Sequence, residues 1–339
     1  MSAVQIPALT LTLCGDGATV RSVASRWSPL PVERLLIGRD AAHARAVLTT
    51  TLVLCGHAQC AASAHALAAA QSDPSAIAVD DEPVELEAAR ETLRRWLIDF
   101  PAVFGGVWES DTIAQWARLD SRARLASFCE RTVFGMPAAA WLMRSTSGSP
   151  DWAAGAGTLP ARWLHGLLKN AARPVSVGPA NVLCAARENA VDMLHARSTG
   201  EMGETGDSGS AWPSHADLWR EAQTAPDLAS ALMTGRLRHL ARICANGAPA
   251  ATGGLRHGDV GIGWARCARG VLVHLARIEN GRIAAYRIVP PTWWNFGRAG
   301  LLQAALCGLP WHAAQPLALR LALLLDPCAP NRIEAKRDA

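Results

Sequence analysis

The sequence predicts an α+β protein that is mainly helical, and three observations carry that expectation. Half of the 339 residues are hydrophobic, and much of that half is alanine, a composition that favours closely packed helices over a β sandwich. The segment EPVELEAARETLRRWLIDF (82–100) sets Leu86, Leu93, Trp96, Leu97 and Phe100 at helical spacing, the pattern of an amphipathic helix lying on a core. The segment GVLVHLARIENGRIAAYRIV (270–289) places two β-rich runs around Asn280-Gly281. A type I′ hairpin turn favours that dipeptide because both central residues take positive φ.

The remaining elements follow in chain order. Residues 8–37 alternate short apolar runs with turn residues, which predicts a small β element. IGRD (37–40) leads into Ala46 to Gln71, a stretch with no acidic or basic side chain. Its threonines, histidines, glutamines and serine make it a poor match to a hydrocarbon core, so it reads as a buried helix, broken locally at CGH (55–57), and not as a membrane span. Residues 110–143 again read as helical. The Gly/Ser-rich stretches 144–158 and 197–215 read as flexible surface loops within a single domain spanning 1–339. After the hairpin come PPTWWNFG, a helix near 298–308, and a last apolar helix, PLALRLALLL, too short and too interrupted by Arg320 to cross a bilayer.

Charge narrows the partners. A net charge of +4 from 33 basic and 29 acidic residues is mild. No dense Lys/Arg block or aromatic-interleaved basic strand stands out, so nucleic acid is not expected as a partner. Nine cysteines, spread singly except for Cys55 and Cys60, do not make a disulfide framework and point to a reducing compartment. The opening MSAVQIPALTLTLCGDG lacks the basic start and cleavage signal of a secretory peptide, so the expected location is cytoplasmic. Thirteen tryptophans against one tyrosine and five phenylalanines have no physical account at the level of sequence.

The chemistry is sparse. No Ser/His/Asp order, phosphate-binding loop or paired-carboxylate motif stands out, and GDVGIG (258–263) is too short to read as a dinucleotide loop. In LLLDPCAPNRIE (323–334), Asp326 suits a helix cap and Pro327 the first helical position. Cys328 would then lie in a first turn whose backbone N–H groups favour the thiolate. Taken alone, Cys328 reads more readily as an ordinary buried cysteine. LCGHAQCAASAHAL (54–67) offers Cys55, His57, Cys60 and His65. Cys-x4-Cys is not the tight pair of a zinc knuckle, and no second pair completes a tetrahedral site, so these four also read as packed helix residues.

The ordered set of pieces changes that reading. ERLLIGRD (33–40), LCGHAQCAASAHAL, ARGVLVHLARIENGRIAAYRIVPPTWWNFG (268–297), LLQAALCGLP (301–310) and LLLDPC together resemble the large subunit of nickel–iron hydrogenases. That family carries, in the same order, a Gly-Arg-Asp segment, Arg-x-Cys-Gly-x-Cys-x-x-x-His, an Ala-Pro-Arg-Gly hairpin, Val-Pro-Ser/Thr-Thr-Trp-Asn and Asp-Pro-Cys-x-x-Cys-x-x-His/Arg. The match covers both ends of the chain and leaves about 75–250 poorly matched. It implies a truncated large-subunit-like fold.

The departures decide what the resemblance implies about function. In the family four thiolates hold nickel, and two of them bridge to an iron bearing cyanide and carbon monoxide. Here Cys55 and Cys328 occupy the first position of each pair, while the second positions are Ala58 and Asn331 and the closing His/Arg position is Glu334. Without four thiolates no nickel is expected. A shortened, degenerate large subunit looks like the hydrogenase maturation proteins of the HupK/HoxV type. The resemblance then implies a non-catalytic scaffold that transiently holds an iron–cyanide–carbonyl unit, Fe(CN)2CO, before transfer to a hydrogenase large-subunit precursor. Its implied partners are hydrogenase maturation accessory proteins and small chaperones. Cys55 and Cys328 would anchor the iron, and Arg269 and Thr292 would donate hydrogen bonds to the cyanides. Pro291 replaces the family's first hydroxyl in that segment. The retained cysteines match the terminal nickel positions, not the bridging ones, so two arrangements stay open. Either the iron unit sits differently, or Cys60, displaced by two residues, supplies a bridging thiolate, with His57 or His65 as further candidates. The alternative function is a metal-free mimic of the large subunit that recruits maturation chaperones.

Overall fold

The computed structural model describes residues 8–71, 79–144, 149–171, 190–195, 200–201, 226–246, 251–297 and 300–337. The architecture is α+β and mainly helical, as expected. Where one domain is expected, contacts gather the chain into two compact units: Met1–Val84 with Val177–Ser214 and Thr252–Ala339, and Glu85–Ser176 with His215–Ala251.

The first unit holds two four-stranded sheets. In one, the order is β3(Gly200–Glu201), β2(Val20–Ser28), β1(Ala8–Gly15), β8(Asn331–Arg337). β1 and β2 are antiparallel, whereas β8 lies parallel to β1 with Leu9 opposite Asn331 and Gly15 opposite Arg337. Of the expected loop 197–215, only the two residues of β3 fall among the described residues. The other sheet is an antiparallel meander, β4(Thr252–His257), β5(Val260–Cys267), β6(Gly270–Glu279), β7(Arg282–Val289). Asn280 and Gly281 take φ of 51° and 72° between β6 and β7, the type I′ signature expected of that dipeptide.

The uncharged stretch after IGRD forms two helices, α1(Ala41–Thr51) and α2(Gly56–Ala70), bent by 99° at the break. Asp40 caps α1, its carboxylate accepting from the His43 N–H at 2.8 Å. Among the described residues no single helix is long and apolar enough to cross a membrane. α2 instead lies buried on the meander, and its alanines explain how. A Cβ on Gly261 would stand 2.0 Å from the Ala66 carbonyl oxygen, and one on Gly263 2.0 Å from that of Ala62. Small residues on both sides therefore let helix backbone and strand backbone nearly touch. GDVGIG, set aside as a nucleotide loop, is the turn and strand that makes this contact.

The second unit is helical: the body of α3(Asp81–Ile98), then α4(Phe100–Phe104), α5(Ser110–Ala117), α6(Arg122–Cys129), α7(Ala138–Leu142), α8(Ser149–Gly155) and α9(Leu159–Lys169). After α10(Ala190–His195) of the first unit, the second unit is completed by α11(Leu228–Cys244). α3 follows the predicted amphipathic pattern, with Leu93, Trp96 and Leu97 buried and Leu86 half-buried, and the buried Phe100 opens α4. The stretch 144–158 is not wholly a loop. It contains α8, ordered because Trp152 is buried and its indole N–H donates to the Phe134 carbonyl at 2.9 Å.

The tryptophan excess gains a physical account here. The indoles of Trp108, Trp116 and Trp163 likewise donate to backbone carbonyls of Trp96, Arg90 and Gly105 at 2.8–3.0 Å. Trp108 and Trp163 also join a ring cluster with Phe100 and Phe104. The carbonyls of Phe134, Trp96 and Gly105 lie at or near helix ends, whereas that of Arg90 lies inside α3; Trp152 and Trp163 are buried, and Trp108 and Trp116 half-buried.

The chain returns to the first unit and closes through α12(Pro291–Phe296), α13(Leu301–Leu306) and α14(Trp311–Leu325).

Candidate cysteine cleft

Cys55 stands at the break between α1 and α2 and is the N-cap residue of the fifteen-residue α2. The helix N-terminus puts positive potential against its sulfur. Arg269, buried in the tight turn between β5 and β6, adds to this by donating from Nη1 to Cys55 Sγ at 3.2 Å. From the sequence alone that helix-start device is expected at Cys328 instead.

Cys328 does not begin a helix. Asp326 ends α14 in the left-handed region, with φ of 52°, a conformation that aspartate tolerates better than most residues. The chain then bends at Cys328 and Ala329 and enters β8, where Asn331, the second cysteine position of the family motif, pairs with Leu9. The cause is tertiary: the buried Asp326 carboxylate faces the Arg269 guanidinium at 3.4 Å, Nε to Oδ2, so it serves an ion pair and caps no helix. Glu334, at the closing His/Arg position, lies in β8 beside Arg332 at 2.8 Å.

The half-buried Cys328 is held by Thr292, the second residue of α12. The Cys328 N–H donates to Thr292 Oγ1 at 3.1 Å, and that hydroxyl donates to Cys328 Sγ at 3.1 Å. Burial pushes the Cys328 thiol up to about 11, against the opposing pull of Thr292 and Arg269.

Cys55 and Cys328 both line a cleft of about 210 Å³, with Trp27, Glu33, Gln59, Arg287 and Trp293 among its walls. That is smaller than the roughly 300 Å³ at which drug-sized ligand pockets begin, so the space suits a compact polyatomic group. The structure thus gathers four of the five sequence-predicted residues, Cys55, Cys328, Arg269 and Thr292, around one place. Cys60 is not with them. Five residues beyond Cys55 is a rotation of about 140° around a helix, and Cys60 Sγ points instead at Thr49 Oγ1, 3.2 Å away, against the α1 core. His57 is exposed, and His65 is buried against Thr252, Nε2 to Oγ1 at 3.2 Å. Among the described residues no group of three or more His, Cys, Asp or Glu side chains could hold a metal ion.

Three features escaped sequence reasoning. Cys267 closes β5 with its thiol donating to the Gly270 carbonyl at 3.3 Å, and its contact with Cys55, together with burial, pushes its own thiol well up. Its place two residues before Arg269 was the available signal. Gln59, on the cleft wall, is tied to a buried chain: Gln59 Oε1 to His274 Nε2, His274 Nδ1 to the Tyr286 hydroxyl, and Tyr286 to Ser63 Oγ, each at 2.7 Å. Burial drives the His274 pKa down to about 3, so the imidazole is neutral. The third is Arg287.

The fold and this site define the class first. Over 96% of this chain and 99% of the other, the structure matches a chain of the NiFeSe hydrogenase from Desulfovibrio vulgaris Hildenborough, with a TM-score of 0.53 and 13% identity. The fold is that of a nickel–iron hydrogenase large subunit, and residues 236–330 match the nickel-dependent hydrogenase family. Whole-length sequence similarity then points to a narrower group. The chain is 29% identical to the hydrogenase expression/formation protein HupK of Azotobacter vinelandii, over 92% of this chain and 94% of that protein. It is 28% identical to the HupK of Rhizobium leguminosarum bv. viciae, over 92% and 91%. The resemblance to HupK/HoxV-type proteins read from the motifs is borne out.

Proposed function

We propose that this chain is a non-catalytic scaffold of nickel–iron hydrogenase maturation in the cytoplasm, holding an Fe(CN)2CO unit as cargo until a hydrogenase large-subunit precursor receives it. The observation that carries this reading is the convergence of Cys55 and Cys328 on one small cleft, beside the donors Arg269 and Thr292. The chemistry suits a cargo that brings its own ligands. Iron already bearing two cyanides and a carbonyl needs few sulfurs, so two thiolates can anchor it and still release it. Nickel would need the four soft ligands that the family supplies, and Ala58 and Asn331 remove two. Arg269 offers N–H groups to a cyanide nitrogen, while the Thr292 hydroxyl, whose one proton goes to Cys328 Sγ, holds that sulfur in place. The expression/formation names of the whole-length relatives support the maturation role, and maturation accessory proteins and small chaperones are the natural partners.

The test is spectroscopic. Protein purified without oxygen from a host that makes the cyanide-synthesis machinery should show cyanide and carbonyl infrared bands. Cys55→Ser and Cys328→Ser should each abolish them. Wild-type protein free of such bands overturns the reading.

A second reading, a metal-free large-subunit mimic that recruits chaperones, is favoured by Leu30, Val53 and Leu54, which line the cleft and are 37–77% exposed. It requires that a Cys55→Ser/Cys328→Ser double variant still complement a deletion strain.

A further inference from the structure

The cleft has a cationic wall that no matched motif accounts for. Arg287, on β7, is 4% exposed yet lines the same cleft as the two cysteines. Its guanidinium carbon lies over the Trp293 ring, 5.2 Å from the centroid, within cation–π range. Burial lowers its pKa while the neighbouring Glu33 carboxylate raises it. Glu33 is shared, since its Oε1 also accepts the Ile288 N–H at 3.4 Å. A desolvated guanidinium beside an open cavity is well placed to bind an acceptor that enters, because charge-assisted hydrogen bonds are about twice as strong as neutral ones.

Arg269 gives Nη1 to Cys55 Sγ and faces Asp326, and the Thr292 hydroxyl donates to Cys328 Sγ. Pro291 offers no side-chain donor. A group carrying two cyanide nitrogens is therefore short of one donor on the motif side.

We propose that Arg287 is the second cyanide anchor, its guanidinium donating to the nitrogen of one cyanide on the held iron unit. This rests on the scaffold reading and adds to it a binding residue on β7. The experiment compares infrared spectra of protein loaded in the same host, as wild type, Arg287→Met and Arg287→Lys, with circular dichroism checking the fold. A hydrogen bond to a cyanide nitrogen raises that C–N stretch, so Arg287→Met should move one cyanide band to lower frequency and leave the carbonyl band in place. Arg287→Lys should give a smaller shift. Should Arg287→Met fail to fold or to load, Arg287→Lys decides by the same criterion. Unchanged cyanide bands in a loaded variant overturn the proposal, as does a common shift of all three bands, which would report altered electron density at iron. If both folded variants lose every band while wild type keeps them, Arg287 acts on loading as a whole, and the single-cyanide contact is overturned. A wild type without bands removes the scaffold reading and this inference with it, so the two failures are distinguishable.

Discussion

The two cysteine-bearing ends of the cleft are built by opposite means. Cys55 is placed by backbone: it caps a helix whose alanines lie directly on the glycines of β5. Cys328 is placed by polar side chains: Asp326 against Arg269, and Thr292 against the cysteine's own N–H and sulfur. The first construction is sensitive to volume and the second to single polar substitutions. Even so, the Cys55 end is not purely apolar, because Gln59 one turn along α2 is tied to the buried His274.

The largest expected effect tests that tie. His274 has a folded pKa of about 3 against 6.5 for the free side chain, so the stability held by its neutral form is present above pH 6.5. It is lost as pH falls towards 3, on the order of 5 kcal/mol if this group dominates. Urea midpoints should fall steeply over that range, and His274→Gln should flatten the fall. Next, Asp326→Ala strands the buried Arg269 charge and should cost about 3–5 kcal/mol. Asp326→Leu combined with Arg269→Met should recover much of the loss. A midpoint unmoved by Asp326→Ala would break the contrast between the two ends.

Gly263→Ala probes the other construction. Its Cβ needs space already held by the Ala62 carbonyl, and overpacking of this kind costs about 1–3 kcal/mol. Wild-type stability in this variant would mean that α2 can slide after all. Thr292→Val should cost about 1 kcal/mol, with a more specific effect on the thiol. Alkylation of Cys328 should accelerate as pH rises towards its pKa of about 11. Since Thr292 lowers that pKa, the midpoint of the alkylation profile should move higher in the variant. Smallest is Glu334→Gln, which removes a pair with a 72% exposed Arg332 side chain and should shift stability by less than about 0.5 kcal/mol.

What was legible in the sequence was local. Asn280-Gly281 dictates its hairpin through its own φ preferences, and α3 declares itself by the spacing of Leu93, Trp96 and Leu97. The ordered motifs pointed to Cys55, Arg269, Thr292 and Cys328 as one set although they lie far apart in the chain, because they were read together against a family that carries them in the same order. Asp326-Pro327-Cys328 misled because its local signature suits a helix cap, while the conformation is set by Arg269, a residue remote in sequence. The alanine run showed a buried helix but not its partner, since Gly261 and Gly263 carry meaning only once a helix lies against them. Arg287 was equally silent: a charged residue within a strand reads as solvated until the fold closes over it.

The interlock of α2 with β5 has a mechanical corollary. A rod seated backbone to backbone has no freedom to retreat, so the sulfur at its tip behaves as a fixed jaw. Whatever lodges opposite faces the stretch after Asp326, which is held by the contacts to Arg269 and Thr292 and leads into the edge strand β8. Opening and closing of the grip would then be decided at that movable jaw, near the chain's own end.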